Sequence, residues 1–155
     1  MEAIKKILVP VDFSDYSKNA LRYAVSFAKL FNAKMYIQYV VEPAVYPADF
    51  SLGQVAIPTT DVDMAQRAEN ELNRLAEEEI GTSVEYEKII KTGKPFMEII
   101  EAASEIDADL IIIATHGHTG VEHLLFGSTA EKVVRKSPCP VLTLRDPIKG
   151  FKFTK

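Results

Sequence analysis

The chain has 155 residues, with 18 Lys+Arg against 22 Asp+Glu for a formal net charge of −4, and is 47% hydrophobic and 26% charged. A chain of this length buries about two thirds of its unfolded surface, so its core needs neither disulfides nor a structural metal, and the lone Cys139 excludes an internal disulfide framework. No apolar run approaches the roughly 20 residues of a membrane-spanning helix, Met1 to Lys6 is too short for a signal peptide, and no Lys/Arg block exceeds two residues; neither a membrane nor a nucleic acid is expected as partner, and the compartment expected is cytoplasmic.

Ile4 to Asp12 holds the run Ile7-Leu8-Val9-Pro10-Val11, a strand covered on both faces. Ser14 can cap the helix that follows, in which Ala20, Ala24, Phe27, Ala28 and Phe31 share one face before Asn32-Ala33 ends it. Met35 to Val41 reads as a second strand. A helix striped by Ala65, Ala68, Leu72, Leu75 and Ala76 stops at Gly81, and Val84 to Ile90 is a third strand. Pro95 opens a helix with Phe96, Ile99, Ile100 and Ala103 on its apolar stripe, and Asp109 to Ala114 is the most apolar strand of the chain. Gly127-Ser128 starts a fourth helix carrying Ala130, Val133 and Val134, and Val141 to Leu144 is the fifth strand.

Strands alternating with helices of this length require crossover connections and a mostly parallel sheet with helices on both faces, so the class is α/β, doubly wound. The expected organisation is a single domain over residues 1–145 followed by a basic tail over 146–155. Glu42 to Thr60 is an insertion too long for an idle connection, either flexible or packed over a ligand or partner through Val45, Tyr46, Phe50, Leu52, Val55 and Ile57.

Ligands of open α/β sheets bind beyond the carboxyl ends of the strands, where the strand order reverses. Two segments suit that place: Pro10-Val11-Asp12-Phe13-Ser14, and Ala114-Thr115-His116-Gly117-His118-Thr119-Gly120 continuing to Phe126-Gly127-Ser128-Thr129. Glycines admit a close ligand, and the helix start after Gly127 offers unpaired N–H groups and a positive dipole end, an anion cradle to which Ser128 and Thr129 add hydroxyl donors. Asp12 suits ribose hydroxyls better than phosphate oxygens, and it can equally serve the helix start next to Ser14.

Lys6-Ile-Leu-Val-Pro-Val-Asp-Phe-Ser14, Lys91-Thr-Gly-Lys-Pro95, Asp109-Leu-Ile-Ile-Ile-Ala-Thr-His-Gly117 and Leu125-Phe-Gly-Ser-Thr-Ala-Glu-Lys-Val-Val-Arg-Lys-Ser-Pro-Cys-Pro-Val-Leu142 together resemble the universal stress proteins over nearly the whole chain. The resemblance implies a Rossmann-like sheet of five parallel strands in the order 3-2-1-4-5, akin to the adenine nucleotide alpha hydrolases. It also implies an adenine-nucleotide site for ATP, ADP or AMP with Mg2+ accompanying the phosphates, and a homodimer formed through the edge strand Val141 to Leu144. ATP-binding members carry Gly-x2-Gly-x9-Gly-(Ser/Thr); here the frame reads Ala114-x2-Gly117-x9-Gly127-Ser128, with alanine at the first glycine. By the resemblance Gly117, Gly127, Ser128 and Thr129 hold phosphates, Asp12 the ribose, and the main chain at Pro10, Val11 and Val40 lines the base pocket, while Ala114 falls where the ribose would lie.

The three histidines, His116, His118 and His123, fall within eight residues, but only Glu122 or the distant Cys139 could complete a zinc set, so they are read as imidazoles beside a phosphate pocket. Cys139 between two prolines reads as packing. The chain has no Gly-x4-Gly-Lys-(Ser/Thr), Gly-x-Gly-x2-Gly or Gly-x-Ser-x-Gly, and no Lys or Arg between Gly117 and Thr129 to stabilise a transferring phosphoryl group. Nucleotide-dependent regulation is the expected function, with a nucleotide-free interaction module and a slow ATPase as the alternatives.

Overall fold

The computed structural model describes residues 3–43, 61–117 and 126–145. The insertion from 44 to 60, His118, Glu122, His123 and the tail 146–155 therefore lie outside the described residues. In chain order the elements are β1 (Lys6–Pro10), α1 (Asp15–Phe31), β2 (Lys34–Val41), α2 (Asp61–Glu79), β3 (Tyr86–Thr92), α3 (Pro95–Glu105), β4 (Leu110–Ala114), α4 (Ser128–Lys136) and β5 (Val141–Leu144). The strands form one sheet in the order β3-β2-β1-β4-β5, with every neighbouring pair parallel.

Local chemistry accounts for the element ends. The Ser14 side chain accepts a hydrogen bond from Ser17 N and caps α1, which ends at Asn32 in the left-handed region with φ 52°. Pro95 occupies the first turn of α3, where a missing N–H costs no helical bond. Successive strand side chains point to opposite faces, and the core divides accordingly. Ile7, Val9, Met35, Ile37 and Ile112 pack with Leu21, Ala24 and Leu72 of α1 and α2, while Leu8, Ile111 and Ile113 pack with Ile99, Ala103 and Val133 of α3 and α4. β4 is buried along its whole length, as its unbroken apolar sequence requires.

Two expectations are corrected. β3 runs from Tyr86 to Thr92 rather than from Val84 to Ile90, because pairing with β2 sets its ends: Tyr86 lies opposite Met35, and the ladder continues through Lys91 and Thr92 opposite Val40 and Val41. Val134 does not join the apolar stripe of α4. Its exposure is 45%, against 0% for Val133, since the helix offers the sheet a face one residue away. No helix among the described residues is long and apolar enough to cross a membrane.

Ile112 is fully buried in the interior strand β4, so Ile112→Ala should cost about 2–5 kcal/mol in urea unfolding, whereas Val134→Ala should fall within about 0.5 kcal/mol of the parent.

Candidate nucleotide-binding cleft

β1 and β4 pair with Ile7 opposite Leu110 and Leu8 opposite Ile111. The pairing is anchored at its start by Asp109, whose Oδ2 accepts from Lys5 N at 2.7 Å and Lys6 N at 2.9 Å. With the two strands in register, Pro10 to Ser14 and Ala114 to Gly117 leave the sheet side by side. They border a cleft of about 340 Å³. Pro10, Val11, Asp12, Val40, Ala114, His116, Gly117, Gly127, Ser128 and Thr129 all line it. Gln38, Tyr39, Glu42, Met64, Pro95 and Ile99 also line it. The strand pattern does not mark these out; the one signal is Gln38, an amide inside an otherwise apolar and aromatic run.

Of the two roles open to Asp12, the helix cap falls to Ser14. Asp12 Oδ1 accepts from Ser14 N at 3.0 Å and from Ser14 Oγ at 2.5 Å, while Ser14 Oγ accepts from Ser17 N at 3.2 Å. Ser14 is thus the cap, and Asp12 holds the capping hydroxyl in place. The Asp12 N–H donates to Ser17 Oγ at 3.2 Å, which closes the turn. Phe13 between them adopts φ 65°, a left-handed conformation unfavourable for a bulky residue, and its ring rests against Tyr39 with centroids 4.6 Å apart. Strain of this kind persists where surrounding contacts hold it.

Asp12 Oδ2 lies directly against Gly117, where a Cβ would collide with the carboxylate. Gly117 does not have positive φ, so the glycine is required by the close approach of the carboxylate and not by backbone conformation. The Gly127 N–H donates to Thr115 O at 2.6 Å, and a Cβ at Gly127 would stand 3.1 Å from that oxygen. Gly127 is also the N-cap of α4 and provides no side-chain cap, so the first-turn N–H groups of α4 keep their donors and the positive helix end for an incoming anion. Ala114, the last residue of β4, is 8% exposed, lines the cleft and belongs to the core cluster of Ile7, Val9 and Ile112.

Nδ1 of His116 lies 3.0 Å from Thr115 Oγ1, and its ring is 5.6 Å from that of Tyr16. The charged side chains among the described lining residues are acidic, Asp12 and Glu42. Burial first, then the carboxylates Glu71, Asp12 and Glu42, raise the pKa of the Tyr39 phenol. An anion in the cleft is therefore met by main-chain donors, hydroxyls and a helix dipole. Among the described residues no three His, Cys, Asp or Glu gather as a metal site. Cys139 is half-buried away from the cleft, with its thiol pKa raised chiefly by burial.

A glycine-bordered cleft at the switch point of a doubly wound sheet is where open α/β folds bind their ligands. The chain belongs to the universal stress protein family, whose pattern covers residues 3–145. It is 37% identical over 148 residues to universal stress protein MJ0531 of Methanocaldococcus jannaschii, covering 94% of this chain and 84% of that one. Among solved structures it resembles universal stress protein UspA from Lactobacillus plantarum, with TM-score 0.78, 26% identity, and 94% of this chain and all 100% of that one covered. It also resembles a universal stress protein solved in complex with cAMP, with TM-score 0.66, 25% identity, and 93% and 98% of the two chains covered.

Gly117→Ala should destabilise the fold by about 1–3 kcal/mol through overpacking against Asp12. In a double-mutant cycle with Asp12→Ala, the combined loss should fall short of the sum of the single losses by on the order of 1 kcal/mol, measured by denaturant unfolding.

Proposed function

We propose that the chain is an adenine-nucleotide-binding regulatory protein, with the cleft beyond β1 and β4 as its site. One observation carries this reading: Asp12, Gly117 and the uncapped start of α4 converge on a single hollow. In it Gly117, Gly127, Ser128 and Thr129 hold phosphate oxygens through N–H and hydroxyl donors. Asp12 accepts from ribose hydroxyls, and the main chain at Pro10, Val11 and Val40 frames the base, with His116 near the phosphates. The relative solved with cAMP supports an adenine nucleotide as the ligand class. ATP, ADP and AMP all carry the required groups. Mg2+ accompanies the longer phosphate chains, whose charge no Lys or Arg among the described lining residues offsets. For the same reason phosphoryl transfer is slow, and binding rather than turnover is the activity.

Nucleotide titration by calorimetry tests the site. The parent should bind AMP and Mg-ATP, Gly127→Val should lose at least roughly tenfold in affinity because the larger side chain meets Thr115 O, and Asp12→Ala should weaken binding as well. Equal affinities in all three proteins would overturn the assignment. A nucleotide-free interaction module is favoured only by alanine at position 114, a cleft-lining position, and an unchanged melting temperature with ATP would select it.

The working unit is a cytoplasmic homodimer, each chain one domain over 1–145 with a basic tail over 146–155. β5 occupies an edge of the sheet with all four residues half-buried, an apolar edge that pairing with a second copy would cover. Sedimentation equilibrium should give twice the chain mass, and a monomer at all concentrations would overturn the assembly.

A further inference from the structure

Gln38 is fully buried in β2 and lines the cleft. Its Nε2 donates to the main-chain oxygen of Glu98 in the first turn of α3 at 2.9 Å. That bond fixes the amide orientation, because the reverse placement would set two oxygens against each other. The other end of the amide is then an acceptor, and Oε1 has no hydrogen-bond partner among the described residues. The cleft that Gln38 lines includes apolar residues such as Ile99 and Ile113, whose side chains have no hydrogen to donate. A buried acceptor left unmatched is costly, and native structures retain one chiefly where a ligand or an ordered water completes it.

The sheet order indicates which part of a ligand would do so. α4 and Gly117 sit at the β4 end and Asp12 at the β1 tip, while Gln38 belongs to β2, two interstrand spacings or about 10 Å from β4. A nucleotide with its phosphate at α4 and its ribose at Asp12 brings its base to β2. We infer that Gln38 Oε1 is the acceptor for the exocyclic amine of that base, so that the cleft selects a 6-amino purine over a 6-oxo purine. An inosine or guanine ring would place a carbonyl oxygen against Oε1, leaving two buried acceptors facing each other. This assignment rests on the nucleotide reading of the cleft and adds to it a residue that determines base identity.

The test is calorimetric titration of AMP and IMP, which share ribose and phosphate, into the parent and into Gln38→Met, which keeps the side-chain length and removes both polar ends. The parent should bind AMP at least roughly tenfold more tightly than IMP, as expected of a site built to accept a ligand N–H. In Gln38→Met the two affinities should come within about twofold. A parent that binds AMP and IMP equally overturns the inference whatever the variant does. So does a variant that keeps the parental ratio, which would mean that an internal water serves Oε1; in both cases the nucleotide site itself stands. Failure of the parent to bind either nucleotide overturns the site and the inference together.

Discussion

The pairing of β1 with β4 is the constraint on which the rest of the molecule depends. These strands are about a hundred residues apart in the chain, yet Ile7 and Leu8 lie opposite Leu110 and Ile111 at the middle of the sheet. Asp109 secures the register from the opposite end to the cleft. Its carboxylate takes the two N–H groups of Lys5 and Lys6, its own N–H donates to Lys6 O, and Lys6 Nζ reaches Ile106 O at 2.7 Å. A slip of one residue would reverse the faces of Ile7, Leu8 and Val9 and separate Asp12 from Gly117. The clamp at one end of the strands therefore sets the distance between functional groups at the other.

At the cleft end the same register produces a contact with no slack. Asp12 is held by Ser14, Ser14 holds the start of α1, and Gly117 leaves room for the second carboxylate oxygen. The helix cap and the cleft-lining carboxylate are consecutive links of one hydrogen-bonded chain, and the unfavourable φ of Phe13 is held in place by its ring contact with Tyr39. A helix start, a strand end and a glycine loop are thus joined through a few polar atoms, whereas the two cores beneath them are almost wholly apolar.

Much of this was legible before any coordinates. Unbroken apolar runs such as Leu110 to Ile113 mark central strands, the spacing of Ala20, Ala24 and Ala28 marks a buried helix face, and an aspartate and glycines at strand ends mark the cleft. What escaped the pattern depends on partners distant in sequence. The ends of β3 follow its ladder with β2 and not its own hydropathy. Val134 and Val133 are alike in chemistry, and only the orientation of α4 on the sheet separates them. Gln38 resembles a stray polar residue in a strand until the Glu98 carbonyl, 60 residues onward, fixes which end of its amide is left unmatched. The need for glycine at position 117 is likewise invisible locally, because the obstacle is a carboxylate in the turn after β1.

The central location of β1 has a consequence for how the molecule comes into being. Synthesis supplies β1, β2 and β3 first, so β1 can pair on one side early, while its other edge waits for β4 some hundred residues later. Through that interval Ile7, Leu8 and Val9 present an open apolar edge to the surroundings, the kind of segment that nascent-chain chaperones protect. The contacts that close the sheet are distant in sequence, which slows folding, and a chain arrested before Leu110 would be left with its most adhesive strand uncovered.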